Sequence, residues 1–510
     1  MNSHFRSRIT GIPGLFLGVL LGVMTMSSSA LADVGFRAPG EYVLSHARLG
    51  SFAVDEEGTP SSAERWSTHT MVLLPELTLG SGWRIATEFQ VFQGLFQGDV
   101  ATEGNAITSG NPPADAWRNQ TDGSPFESAE LRQAFLEWKT AGSLLRVGQM
   151  TSQWGQGLVA NDGRQNGAFH PSQNRDIVER LLFSVRPFAG TGNASEGVRL
   201  TFGMDVVWSD DNADLLAGDL AIQGVASLAF GLPDRGWIGM YAALREQEDA
   251  DGDRLEALVL DGAGEWRFPL ADTHALHVAA EVAGVIGSTD RITSEAVEGA
   301  VEIASLGAVA SLGWRHENGV ELDLEGGYAS GDSDPHDGVL RTFSFDPSRR
   351  VGMILFEEVL SRTSAHGADR VADPVLSGQP AKGAEGIATG GRVHNAVFFA
   401  PTLRVRAMKT LVFQLGALWA RSMAPVNDPY QTGLAGGVLT GPRGRVGGAA
   451  DLGLEVMLGV EGTVALGEHA SLLLGARGAT LLPGEALDSV EGHSLGHVTK
   501  IEFTTGMHWD

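Results

Sequence analysis

In 510 residues, 62 acidic side chains stand against 36 basic ones, a formal charge of −26. Phosphate backbones demand surplus Lys and Arg, so a nucleic-acid partner is excluded. Cysteine is absent, which removes disulfides, zinc thiolates and a thiol nucleophile from consideration.

The first element is a targeting segment. Arg6 and Arg8 supply a positive start, Ile12 to Met26 an apolar run, and Ser29-Ala30-Leu31-Ala32 an A-x-A-like end. Cleavage of a signal peptide, residues 1–32, is expected after Ala32. No later stretch reaches the roughly 18 apolar residues of a helical span. The Gly-rich alternation runs to the last residue without a linker, so 33–510 reads as one domain.

Period-2 patterning marks eighteen strands. They fall at 42–52, 66–80, 83–96, 127–139, 143–151, 176–187, 197–208, 218–231, 236–247, 254–268, 273–287, 299–315, 320–329, 391–407, 410–421, 450–465, 469–482 and 496–509. Connections after even strands are mostly tight, as at Ser81-Gly82, Ala141-Gly142 and Met408-Lys409. Long polar stretches follow odd strands, at 97–126, 152–175, 330–390 and 422–449. Short turns at one end and long loops at the other are the signature of an outer-membrane barrel. The fold expected is therefore all-β: a single transmembrane antiparallel barrel of about 18 strands with long extracellular loops.

The alternation also assigns faces. In 83–91, Arg84 and Glu88 oppose Trp83, Ile85 and Phe89. In 198–206, Arg199 and Asp205 oppose large apolar residues at every even position. Glu321, Asp323 and Glu325 alternate with Val320, Leu322 and Leu324, and Arg404 and Arg406 with Leu403 and Val405. With no helical layer to cover the apolar faces, lipid must cover them. The charged residues then line a lumen, and these nine are the expected pore-lining set. Trp83, Trp138, Trp208, Trp266, Trp314, Trp419 and Trp509 lie near strand ends, as girdle aromatics do. Within 330–390, Val351 to Arg362 has the composition of a helix. It could constrict the pore, cover the outer mouth, or form a surface excursion.

Gly327-Tyr328-Ala329-Ser330-Gly331-Asp332, followed by Thr342-Phe343 and Phe345-Asp346-Pro347, resembles the strand-to-loop signature of alginate-export-type outer-membrane porins. Leu145-Arg146-Val147-Gly148-Gln149, leading into Trp154-Gly155-Gln156-Gly157-Leu158, is similar to a porin strand whose lumen arginine precedes a Gly-rich loop. The resemblance implies an eighteen-stranded barrel that passes saccharides or small solutes. Tyr328, Ser330, Gly331 and Asp332 carry the loop motif. The mixed signs of the expected lumen depart from a polyuronate conduit, which would be strongly cationic. The connection near Leu466 to Glu468 is also shorter than the long periplasmic loop of a dedicated exporter.

H-E-x-x-H does not occur, and Tyr328 stands where a nucleophile elbow around Ser330 would need glycine, so no enzyme is expected, and no cofactor. Asp249, Asp251 and Asp253 alternate in a loop like calcium ligands, but the spacing is not that of an EF-hand, and solvation of loop acids is the preferred explanation over a metal site. Acidic loops serve solubility or bridge divalent cations to lipopolysaccharide. The sequence thus points to a Gram-negative outer-membrane channel for small polar solutes or saccharides, in contact with outer-membrane lipid and lipopolysaccharide. The alternatives are a non-conducting barrel whose surface loops bind a polysaccharide or partner, and an outer-membrane hydrolase.

Overall fold

The computed structural model describes residues 34–104, 130–163, 176–292, 299–334, 337–372, 388–436 and 438–510. The expected signal segment lies outside them.

Eighteen antiparallel staves close into one barrel. In chain order they are β1 Gly40–Leu49, β2 Arg65–Leu73, β3 Trp83–Gly98, β4 Glu130–Lys139, β5 Ser143–Thr151 and β6 Ile177–Val185. Next come β7 Val198–Ser209, β8 Leu220–Leu232, β9 Gly236–Glu248, β10 Arg254–Ala271, β11 His274–Thr289 and β12 Val301–His316. The last are β13 Val320–Ala329, β14 Ala396–Met408, β15 Leu411–Ser422, β16 Asp451–Ala465, β17 Ala470–Pro483 and β18 Val498–Trp509. Proline lacks a ladder donor, and the first two staves are interrupted at Pro39 and Pro75. Each resumes in a short segment, Val34–Arg37 and Glu76–Leu79, and these pair with each other. The ring closes where β1 meets β18, from Gly40 opposite Trp509 to Leu49 opposite Lys500.

The even number of staves puts every odd stave's end at the same rim. Turns at the other rim are short: 80–82, 140–142, 233–235, 272–273, 317–319, 409–410 and 466–469, with 186–197 the longest. The long-loop rim carries 50–64, 330–395 and 423–450. The expected strand count and parity are both met.

The faces are sorted as alternation dictates. On β7, Phe202 and Met204 face outward and are exposed, while Gly203, Asp205 and Val207 are buried inside. On β9, Ile238, Met240 and Leu244 are exposed outside. A continuous apolar outer wall is incompatible with water and matches a bilayer core. No helix among the described residues is long and apolar enough to cross a membrane; the crossing is made by strands. Stave β3 departs from simple alternation. Its ladder slips between Glu88 and Phe89 on one side, and opposite Met71 and Val72 on the other. The extra residue turns Phe92 and Phe96 to the outer wall, where they pack on His69.

The buried core lies inside the barrel, not between sheets. The loop after β13 enters the long-loop half of the lumen and forms a π-helical turn, Leu355–Leu360, then helix α1, Ser361–Ala372. The helix expected over Val351 to Arg362 is thus displaced toward the C-terminus. Ile354, Leu355, Phe356 and Val359 are fully buried against the lumen-facing Leu49, Trp66, Leu418, Leu481 and Val498. The surface-excursion alternative is excluded.

Removing the wholly buried Phe356 ring would cost about 3–5 kcal/mol. Because the barrel ladder does not involve this residue, Phe356→Ala should undock the insert without opening the barrel. Limited proteolysis should then cut within 341–372 while the protein keeps its heat-modifiable gel mobility.

Candidate functional site

Two loops fold into the lumen, and each is held by a wall carboxylate that accepts backbone N–H groups. On β16, Glu455 is fully buried and accepts from the amides of Met353, Ile354 and Leu355 at 2.5–3.2 Å. These amides open a helical turn, so they are unsatisfied donors with positive partial charge. Gly352 makes the approach feasible. Its φ is +75°, and a Cβ there would stand 2.9 Å from Glu455 Oε2.

The insert is fastened further by charge. Lys500 of β18 donates to Glu358 at 2.7 Å and to Glu357 at 3.3 Å. Arg362 bonds Glu358 at 3.0 Å and reaches Glu103 at 3.5 Å. Above them, α1 engages the rim loops through His366 with Asp55 and Arg370 with Glu56. Arg370 also lies 3.8 Å over the Tyr430 ring. Burial pushes the Asp55 carboxyl up, but its bonds from Thr59 and the His366 charge outweigh this and hold it below the usual range.

The second loop, 152–163, is fastened to the opposite wall. Glu281 of β11 accepts from the amides of Gln156 and Leu158. Trp154 Nε1 donates to Asp261 of β10 at 2.9 Å. The Trp154 indole stacks on Tyr241 and meets Trp237 edge-on. It occupies a notch that exists because Gly239, between those two residues on β9, has no side chain. A Cβ there would lie 2.9 Å from the indole. The two loops touch where Asp346 N donates to Leu158 O at 2.8 Å.

Beside that junction, Asp176, Asp210 and Asp211 bring carboxylate oxygens within 4.8 Å of one another. Arg245 pairs with Asp210 at 2.5 Å and Arg392 with Asp211 at 2.7 Å. Burial, then the charges of Asp211 and Asp210, hold the Asp346 carboxyl well above its ordinary range. Asp176 is raised by burial, then by Asp346, Asp210 and Asp211.

All nine expected lumen residues face inward, in two groups. Glu88 and Asp205 are buried and hydrogen-bonded: Gln133 donates to Glu88 at 2.6 Å, and Arg180 grips Asp205 at 2.6 and 2.7 Å. Arg84 bridges Glu76 and Glu137. Glu325 pairs with Arg349 of the insert at 2.9 Å. These side chains fasten the wall. The others are accessible near the short-turn rim. Arg315 of β12, Glu321 and Arg404 stand side by side across three staves, with Asp323 one row above. Arg199, Arg315, Arg404 and Arg406 make no ion pair with any described residue.

The loop motif is structural in its contacts. Tyr328 faces outward at the rim. Ser330 Oγ accepts from Leu306 N and donates to Arg341 O, and Asp332 accepts from the amides of Asp334 and Arg341. Asp249, Asp251 and Asp253 do not converge as a ligand set. Asp249 accepts from the amides of the other two and pairs with Arg291 at 3.4 Å. Sequence reasoning missed Trp154, Gly239, Glu281, Glu455 and Lys500. The W-G-Q-G run was visible, but the wall carboxylates that receive it lie more than a hundred positions away.

No family model matches the sequence, and no curated protein is similar to it. Among solved structures, OccK5 (OpdH) of Pseudomonas aeruginosa is 11% identical, with 93% of this chain and 98% of that one covered at a TM-score of 0.47. OccAB1 of Acinetobacter baumannii is 10% identical, covering 92% and 96%, also at 0.47. Pseudomonas aeruginosa OpdK with vanillate is 12% identical, covering 93% and 100%, again at 0.47. Similarities this low assign neither a family nor an activity.

Gly239→Leu should expel Trp154 from its notch and free 152–163. The expected result is red-shifted tryptophan emission with an intact barrel, checked by fluorescence and gel mobility. At the carboxylate cluster, a folded-state pKa raised above the unfolded value means that stability is full in acid and is lost as pH rises through the folded value. Asp346→Asn should therefore stabilise the docked insert near neutral pH. The gain should vanish below the ordinary carboxylate range, as read by thermal unfolding across pH.

Proposed function

We propose that the protein is a porin-like channel in the outer membrane of a Gram-negative bacterium, reached by export with a cleaved signal peptide. Small polar solutes or saccharides diffuse passively through a lumen of mixed charge. The observation that carries this reading is the accessible set Arg199, Arg315, Arg404 and Arg406, none in a close ion pair with a described residue, near Glu321 and Asp323. Buried charge in a filled bore is costly unless paired. Unpaired arginines therefore call for water, and water along the lumen is what conduction needs.

Rings of charged side chains set ion preference in pores. Arg404, in register with Glu321 on the neighbouring stave, and the nearby Arg406 and Asp323 give a local field at one wall that orients water and polar solutes. The two fastened loops narrow the path toward the long-loop mouth. Balanced signs favour a small solute over a polyuronate, so the alginate-export resemblance extends to architecture and not to cargo. The reading involves no catalysis and no cofactor.

A second reading has support of its own. The dry packing around Phe356 and the buried Lys500–Glu358–Arg362 chain favour a closed barrel whose outer loops bind a polysaccharide or partner. Planar bilayer recordings separate the two: steady single-channel steps support the channel, and silence at all voltages supports the closed barrel. Replacing Arg404 and Arg406 by Glu should shift the reversal potential toward cation selectivity. An unchanged reversal potential would remove both residues from the conduction path.

A further inference from the structure

We propose that the outer wall of β1 and β2, at the long-loop rim, binds the phosphate of an outer-leaflet lipid head group through Arg48 and Arg65. The site rests on the outer-membrane reading above and adds a location to it.

Alternation fixes the direction of these side chains. Ala47, Leu49 and Trp66 are buried in the lumen against the insert. Their neighbours His46, Arg48, Arg65 and Ser67 therefore face the membrane. Arg48 and Arg65 are directly opposite each other in the β1–β2 register, and both are exposed. Like charges placed directly across a ladder are destabilising. Neither arginine has an ion-pair partner among the described residues. Asp99, whose carboxylate accepts the backbone amides of Glu64 and Arg65 at 2.9 and 2.8 Å, supplies one negative charge beside Arg65 and leaves Arg48 without a counterion. Arg254, at the rim of β10, is different, with Glu248 3.3 Å away. An anion bound between Arg48 and Arg65 would relieve their repulsion, and paired guanidiniums suit the geometry of a phosphate. The depth is that of a head group, two outward rows beyond His69 and three beyond Tyr42 toward the long-loop rim.

His46 belongs to the same patch. Its Nδ1 lies 2.9 Å from Ser67 Oγ, which fixes the ring. Its Nε2 has no partner among the described residues and can donate to a second phosphate oxygen. A Ser–His pair on a lipid-facing wall also suggests a lipid esterase. Ser67 is only 4% exposed, too enclosed to attack an ester, so the pair positions His46.

The test is native mass spectrometry of the full barrel released from detergent, which reads bound lipid and oligomeric state together. The probes are a bis-phosphorylated lipid A, its dephosphorylated form, and inorganic phosphate as competitor. The wild type should retain the phosphorylated lipid, and the Arg48→Gln/Arg65→Gln variant should retain it about tenfold less. Heat-modifiable mobility confirms that the variant is folded. His46→Gln, which keeps a donor, should retain more lipid than His46→Leu. Equal retention of both lipid forms would overturn the proposal, as would full displacement by equimolar inorganic phosphate. So would a variant that loses an oligomer without losing lipid. A protein that stays soluble without detergent would instead overturn the membrane reading itself.

Discussion

The ladder between the first and last staves is the constraint on which everything else depends. Until Gly40–Leu49 pairs with Lys500–Trp509, two edges of a long sheet are left with unsatisfied N–H and C=O groups, and a bilayer cannot solvate them. Closure satisfies both edges and divides the side chains into two populations. Apolar residues turn outward, and small, polar and charged residues turn inward. The inner surface then needs a filling, and the filling is supplied by the loops of one rim.

The two fastenings obey one chemical rule. Glu281 and Glu455 lie on different walls and bind loops of different length, yet each accepts two or more backbone amides from a short stretch of its loop. A carboxylate that takes several N–H donors is stabilised even where water is scarce. Side-chain pairs then add specificity: Trp154 in the Gly239 notch on one wall, Lys500 with Glu357 and Glu358 on the other. The charge left over after these fastenings collects near the short-turn rim. That division gives the lumen a dry half and a wet half.

Much of the barrel was legible in the sequence because its determinants are local. Two strands, 143–151 and 320–329, were located to the residue. The inward direction of Arg199 and Arg404 followed from parity alone. The slip in β3 was not legible, since a bulge is decided by the neighbouring stave, and it altered the facing of Phe92 and Phe96. The helix was displaced because Glu455, a hundred positions away, decides where the first helical amides are held. The filling of the lumen was not legible either. Whether Asp205 meets Arg180 or water depends on which side chains three staves present to one point, and periodicity is silent on that.

Lys500 and Glu358 are separated by 142 positions, and the lysine sits on the final stave. The segment it secures leaves the wall after β13. The last grip on that segment therefore does not exist until the ring is complete. Assembly is ordered as a result: the vessel must seal before its stopper can seat, and an intermediate one stave short is open along its length and unstoppered.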